Sequence, residues 1–170
     1  LSAGEAPVAR GFPPSVFTEL PQLLERAGPG AIKGGFITGI FSVLVDGDDH
    51  NDPVADAIRG TLDGHLVLSR QIAEQGRYPA VNLLASISRL SHLVWTEDQQ
   101  KLVRMLLALV ARFEGARDLL AMGAYQAGGD QELDRALAVV PKLYKALQQT
   151  PQSPASADAF AELATHLNEL

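Results

Sequence analysis

A run of ten residues without a charge or a proline, FITGIFSVLV (36–45), constrains this chain more than any other stretch. It is rich in β-branched and aromatic residues and shows no regular alternation of polar and apolar positions. A half-solvated strand alternates; a strand covered on both faces does not. The run therefore predicts a buried strand of a parallel sheet lying between helices. Its neighbours fit that reading. In the acidic turn DGDDHNDP (46–53), Asp52 is placed to cap a helix that Pro53 begins and that reaches Gly64, with Val54, Ile58 and Leu62 inward. HLVLS (65–69) reads as a second strand, and RQIAEQG (70–76) as a short helix stopped by Gly76. Upstream, GFPPSVFTELPQLLERAG (11–28) has helical spacing that Pro21 divides into two short helices, and GPGAIKGG (28–35) is a loop. Strand and helix in alternation are the signature of an α/β fold.

The pattern changes near residue 92. Thr96 and Gln99 form a capping box, with Glu97 and Asp98 at the positive end of the dipole. Leu102, Val103, Leu106, Leu109, Val110 and Phe113 then fall on one broad face. Asp130 caps a helix carrying Leu133, Leu137 and Val140; Pro141 restarts it, and Tyr144 and Leu147 continue it. After the turn QTPQSPAS (149–156), Phe160, Leu163, Leu167 and Leu170 mark a last amphipathic helix. The expected organisation is an α/β part over 1–91 followed by an all-α helical bundle over 92–170.

Charge and composition exclude several function classes. Fourteen basic against twenty acidic residues leave a net charge of −6, which argues against a nucleic-acid backbone or an anionic membrane as the main partner. No stretch reaches the ~18 apolar residues of a membrane span; the greasiest, KLVRMLLALVARF, is broken by Arg104 and Arg112. With no cysteine there is no disulfide and no thiolate metal site, which fits a cytosolic protein. The chain opens on Leu1 and reads as a piece of something longer.

No catalytic constellation is complete. A calcium loop started at Asp46 would put His50, Asn51 and Ala57 where a ligand, a glycine and a glutamate are required. The acidic turn is then a solvated turn, or a loop at a strand end that meets a partner. His50, His65, His92 and His166 show no ligand spacing, and GPGAIKGG is not followed by the Gly-Lys-Ser/Thr of a phosphate loop. Arg89, at the end of the apolar run RYPAVNLLASISRL, pairs structurally or contacts a phosphate, and Tyr78 is a core aromatic or a stacking platform.

Taken together in order, GFPPSVFTELPQLLERAG, FITGIFSVLVDGDDHNDPVAD, LDGHLVLSR, GRYPAV and SISRL resemble the flagellum-specific export ATPase family. That family is the flagellar branch of the type III secretion ATPases, which are similar to F-type ATP synthase catalytic subunits. MGAYQAGGDQELDRAL (122–137) resembles the flagellar branch in particular. The resemblance implies the C-terminal part of a RecA-like nucleotide domain, over 1–91, and the helical domain, over 92–170. The family's phosphate loop, magnesium-holding aspartate and water-activating glutamate lie upstream of the matching segment, so ATP and magnesium belong to the full-length protein and none is expected on this chain alone. By position Arg89 matches the arginine finger that acts on a neighbouring subunit's ATP in a homohexamer, and Tyr78 matches the aromatic against the adenine. Asp48, Asp49 and Asp52 match the loop that faces a coiled-coil central stalk. A peripheral stalk or regulator and export substrate or chaperone complexes are the other implied partners, at a cytoplasmic position beside the inner-membrane export apparatus. Phe160 corresponds too loosely to carry a role. Asn82 stands where the family usually has aspartate, which leaves a hydrogen bond but not a charge. A virulence-type secretion ATPase and a non-catalytic interaction module remain alternatives.

Overall fold

The computed structural model describes residues 13–30, 34–45 and 52–168. Its packing divides the chain into two units, one ending at His65 and the other beginning at Leu66.

In the first unit, helix α1 (Val16–Leu24) runs straight through Pro21. The expected pair of short helices is a single one. Glu19 N–H donates to Ser15 O before the proline, and Glu25 N–H donates to Pro21 O after it, both at 2.9 Å. Proline removes the one bond it cannot donate, and flanking turns closed on both sides hold the helix together. Helix α2 (Pro53–Thr61) starts where Asp52 and Pro53 place it. Asp52 Oδ1 accepts from the N–H groups of Val54 and Ala55, both at 2.9 Å, satisfying two of the orphan donors of a helix start. The helix ends at Thr61, short of Gly64, because Leu62 turns extended. α1 packs on α2 and buries Leu24, Ala55 and Ile58.

The apolar run departs most from expectation. Strands β1 (Gly28–Pro29) and β2 (Phe36–Ile37) pair antiparallel, Gly28 opposite Ile37 and Pro29 opposite Phe36. Residues 38–45 are irregular, and Ile40 and Leu44 are 95% and 97% exposed. The expected strand, buried on both faces of a parallel sheet, is not formed among the described residues. A ladder needs a neighbour for every residue, and here pairing stops after two. Gly39 shows how closely the run folds on itself: a Cβ there would meet the Phe41 ring at 2.6 Å and Ala27 Cβ at 2.8 Å. A two-residue strand, β3 (Gly64–His65), closes this unit.

The second unit holds helix α3 (Arg70–Glu74), strand β4 (Ile87–Ser88) and helices α4 (Ser91–Val94), α5 (Glu97–Gly115), α6 (Arg117–Ala121), α7 (Gln131–Ala146) and α8 (Ala159–Asn168). HLVLS forms no full strand; Leu68 bridges Val81 antiparallel, with Ser69 N–H donating to Ala80 O and Asn82 N–H to Val67 O. α5 opens with the expected capping box, in which Gln99 N–H donates to Thr96 Oγ1 and Thr96 N–H to Gln99 Oε1. α7 opens on Asp130, whose Oδ1 accepts from Glu132 and Leu133 at 3.0 Å, and it continues through Pro141 without a restart. α5 packs on α7, and α7 on α8. The core is built from Leu106, Leu109 and Val110 of α5 and Leu133, Ala136, Val140 and Leu143 of α7, with Leu163 and Leu167 of α8 against it. These are helical-face spacings, so the stripe legible in sequence is the buried one. Among the described residues no helix is long and apolar enough to cross a membrane.

Candidate functional site

The candidate site lies on the segment that connects α3 to α4. Gly76, at φ +73°, ends α3 in a conformation that a side chain would strain, and it delivers Arg77 and Tyr78 in succession. Tyr78 is 57% exposed. Its carbonyl accepts from Gln149 N–H at 2.9 Å, just beyond the end of α7. The ring is thus presented to solvent from a fixed backbone, which is what a stacking platform requires.

Asn82 follows, with its Oδ1 accepting from Leu84 and Ala85 N–H at 3.1 Å. Its carbonyl also accepts from Ser86 Oγ at 2.6 Å, and Ser86 Oγ accepts from Val67 N–H at 3.0 Å. The amide does the local work of a carboxylate, tying the turn to itself without a charge. The turn leads into β4, and Arg89 follows directly, exposed, two residues ahead of α4. Ser91 Oγ donates to Ser88 O across the arginine at 3.2 Å, fixing the corner on which Arg89 stands.

Arg77, next to Tyr78 in the chain, belongs to a cluster that sequence reading did not single out. The Arg77 guanidinium sits over the Tyr144 ring, Cζ 3.9 Å from its centroid. Tyr144 donates its hydroxyl to Glu114 Oε1 at 2.5 Å, and Glu114 Oε2 accepts from Arg117 at 3.2 Å. Phe113 meets the same ring edge-on at 6.2 Å. Burial first, and then the bond to Glu114, push the Tyr144 hydroxyl up to about 12. A cavity of about 340 Å³ opens beside this cluster, lined among others by Arg77, Asn82, Glu114 and Tyr144. The available signal was one of spacing: Glu114 follows Val110 by four, and Tyr144 follows Val140 by four, so each polar group extends a core stripe.

The loop MGAYQAGGD (122–130) is organised by a residue beyond it. Asp134 accepts from the Tyr125 hydroxyl at 2.7 Å and from Gly128 N–H at 2.8 Å. The Asp130 carboxylate also pairs with Arg112. The Leu133 N–H, foremost, and then Arg112 hold it below the usual carboxylate range. Phe160 packs edge-to-face on Trp95, centroids 5.6 Å apart. Among the described residues no group of three or more His, Cys, Asp or Glu could hold a metal. Of the three aspartates matched to a stalk-facing loop, Asp48 and Asp49 lie outside the described residues. Asp52 is 8% exposed and caps α2.

Comparison with known proteins gives this geometry a context. The ATP synthase alpha/beta family, nucleotide-binding domain, matches residues 1–88. The T3SS EscN ATPase C-terminal domain matches residues 95–165. A flagellum-specific ATP synthase of Agrobacterium fabrum is 61% identical over 167 residues, covering 98% of this chain and 35% of that protein. The one of Salmonella typhimurium is 49% identical over 149 residues, covering 88% and 33%. The chain thus spans about a third of the length of these curated relatives. Among solved structures, the assembled ATPase EscN of the enteropathogenic E. coli type III secretion system superposes with a TM-score of 0.90 at 37% identity, over 98% of this chain and 40% of that one. EscN in complex with its central stalk EscO gives 0.83 at 36% identity, over 98% and 39%.

Proposed function

The chain belongs to the ATP synthase alpha/beta family, within its flagellum-specific and type III export ATPases, and from that premise we propose that it is the C-terminal portion of an enzyme that hydrolyses ATP to drive the export of flagellar proteins. One observation carries this reading: a nucleotide-binding profile and an export-ATPase C-terminal profile match in tandem, at 1–88 and 95–165. Identity favours the flagellar branch, at 61% to the Agrobacterium relative against 37% to EscN of the type III secretion system.

ATP, when bound to the full-length protein, supplies the phosphoryl group that is transferred to water. The chain's own residues do the rest of what is proposed here. The planar fork of Arg89 stabilises charge on that group in the neighbouring subunit, and a finger supplied in trans contributes ~10³–10⁵ in rate. Its place on a surface corner between β4 and α4 supports that reach. Tyr78 lies flat against the adenine of its own subunit, and its exposure on an anchored backbone supports this. The fit is good for the base and leaves the phosphates to residues outside this chain. A head-to-tail homohexamer follows from a finger that serves a neighbour.

The acidic loop meets basic residues of a coiled-coil central stalk through Asp48 and Asp49, giving orientation and association rate; Asp52, expected to join them, is buried and serves as a helix cap instead. Asp52 fixes where the loop ends by starting α2. EscN, solved with its central stalk EscO, supports such a partner. In this reading residues 1–91 complete a parallel-sheet nucleotide domain, whose remaining strands would pair with 36–45, and 92–170 form the helical domain. The helical part bears on the stalk, on a peripheral stalk or regulator, and on substrate or chaperone complexes, in the cytoplasm beside the export apparatus.

Arg89→Ala in the full-length ring tests the assignment. ATP turnover should fall at least about a thousandfold with nucleotide still bound. Mixing these subunits with subunits defective in the phosphate loop should restore part of the turnover, because each supplies what the other lacks. Unaltered turnover in Arg89→Ala, or no recovery on mixing, removes the trans finger.

A further inference from the structure

We propose that Arg77 is a positioning residue for the adenine platform, clamping Tyr78 to the helical part of the chain through Tyr144, so that the setting of α7 controls how the nucleotide base is received. The inference rests on the reading of Tyr78 given above.

An exposed ring points where its backbone sends it. The backbone of Tyr78 is held on two sides, and both holds come from α7 or the residues just after it. On one side Gln149 N–H donates to the Tyr78 carbonyl. On the other, Arg77 lies across the Tyr144 ring, 3.9 Å from guanidinium carbon to centroid. Arg77 Nε is buried and finds no hydrogen-bond partner among the described residues. A buried N–H of a charged group is costly unless something else compensates the charge. The face of the tyrosine ring does so, because a desolvated cation over a ring is attracted by its quadrupole. Stacking, more than hydrogen bonding at Nε, therefore sets where Arg77 sits.

The ring is itself fixed. Phe113 meets it edge-on, and its hydroxyl donates to Glu114 at 2.5 Å. Glu114 is in turn gripped by Arg117. The chain of contacts runs from α5 through α7 to Arg77 and ends at the residue next to it. Every member lies in the unit that begins at Leu66. A shift of α7 under load from a stalk or a substrate moves the Tyr144 ring, the guanidinium above it and the Tyr78 carbonyl together. The platform would then sense the helical domain without any hinge between them.

The test uses the full-length protein and three readouts: affinity for a ribose-labelled fluorescent ADP, turnover at saturating ATP, and amide exchange at Gln149 without nucleotide. Arg77→Met keeps the apolar stem and removes the charge. It should weaken nucleotide binding roughly tenfold, the scale of one desolvated cation–ring contact, and speed Gln149 exchange by about as much, with turnover at saturation within about twofold. Tyr144→Leu should reproduce both losses, and the double variant should be no worse than either single one. Tyr144→Phe keeps the ring face and should leave affinity within about twofold. Wild-type affinity and exchange in folded Arg77→Met would overturn the inference, as would an additive double variant. If Arg77→Met does not fold, Tyr144→Leu against Tyr144→Phe decides in the same way. Tyr78→Ala separates the two readings. If it weakens binding while Arg77→Met does not, only the clamp falls; if it leaves binding unchanged, the platform falls and takes the clamp with it.

Discussion

Replacing Tyr144 by phenylalanine removes a single oxygen from the middle of the α5–α7 contact and leaves the ring where it was. The lost group donates to Glu114 at 2.5 Å, and hydrogen bonds to charged groups contribute more than neutral ones. Glu114 keeps Arg117 on its other oxygen, so the carboxylate is not left wholly unpaired. The expected cost is about 1–2 kcal/mol, a melting shift of roughly 3–6 °C for a chain of this size. The pH dependence makes the prediction sharper. In the unfolded chain this hydroxyl titrates near its ordinary ~10; in the folded one burial and Glu114 raise it to about 12. The folded state therefore holds the proton more tightly. Its contribution is complete below pH 10 and is lost as pH rises toward 12, because the unfolded chain gives up its proton first. Urea unfolding followed by the single tryptophan, Trp95, reports the unit in which Tyr144 sits. The wild-type chain should lose stability between pH 10 and pH 12, and Tyr144→Phe should lose distinctly less. Some slope will remain, since burial and then Asp134 also raise Tyr125. A variant with the wild-type slope over that window would refute the assignment of the raised hydroxyl to Tyr144.

Val140 is fully buried between α5 and α7; Val140→Ala removes two methyl groups and leaves a hole, and calorimetry should show a loss of about 2–3 kcal/mol. Asp134→Ala frees the Gly128 N–H and leaves the Tyr125 hydroxyl with the Asp130 carbonyl as its remaining acceptor. The Gly128 amide should exchange about tenfold faster while the α7 core, at Leu133 and Ala136, keeps its protection.

What was legible in the sequence is what a short stretch decides for itself. The Thr96–Gln99 capping box, the Asp130 and Asp52 caps and the apolar faces of α5 and α7 depend on residues within about two turns of one another, and the structure has all of them. The hydrogen bond expected to survive at Asn82 is likewise local. The strand expected at 36–45 was not of this kind. Its apolar run states a need for neighbours on both sides, and a strand exists only where a ladder supplies them; here the ladder ends at Pro29 opposite Phe36. Arg77, Glu114 and Tyr144 were hidden for the converse reason. Each looks ordinary in its own segment, and the cluster arises only when α5 and α7 bring them together beside the turn after α3. Tyr78 and Arg89 enter as site residues through resemblance alone; from the residues themselves an ion-paired arginine and a core or rim aromatic are the favoured readings.

The family boundary and the packing boundary do not coincide, and the difference has a physical source. The two family matches meet between residues 88 and 95, whereas the compact units part at 65 and 66. Residues 66–91 carry both residues proposed to meet nucleotide, and several of their fastenings run to the helices: Gln149 to the Tyr78 carbonyl, Tyr144 to Arg77, and Leu83 against the α5–α7 core. A segment follows the body to which most of its buried contacts and hydrogen bonds attach it. Groups that touch nucleotide would then travel with the helical part, which in the proposed enzyme meets the stalk and the cargo. On that proposal, force on those helices would need no separate transmission to reach the base, because the loop proposed to receive the base is part of the same compact unit as the helices.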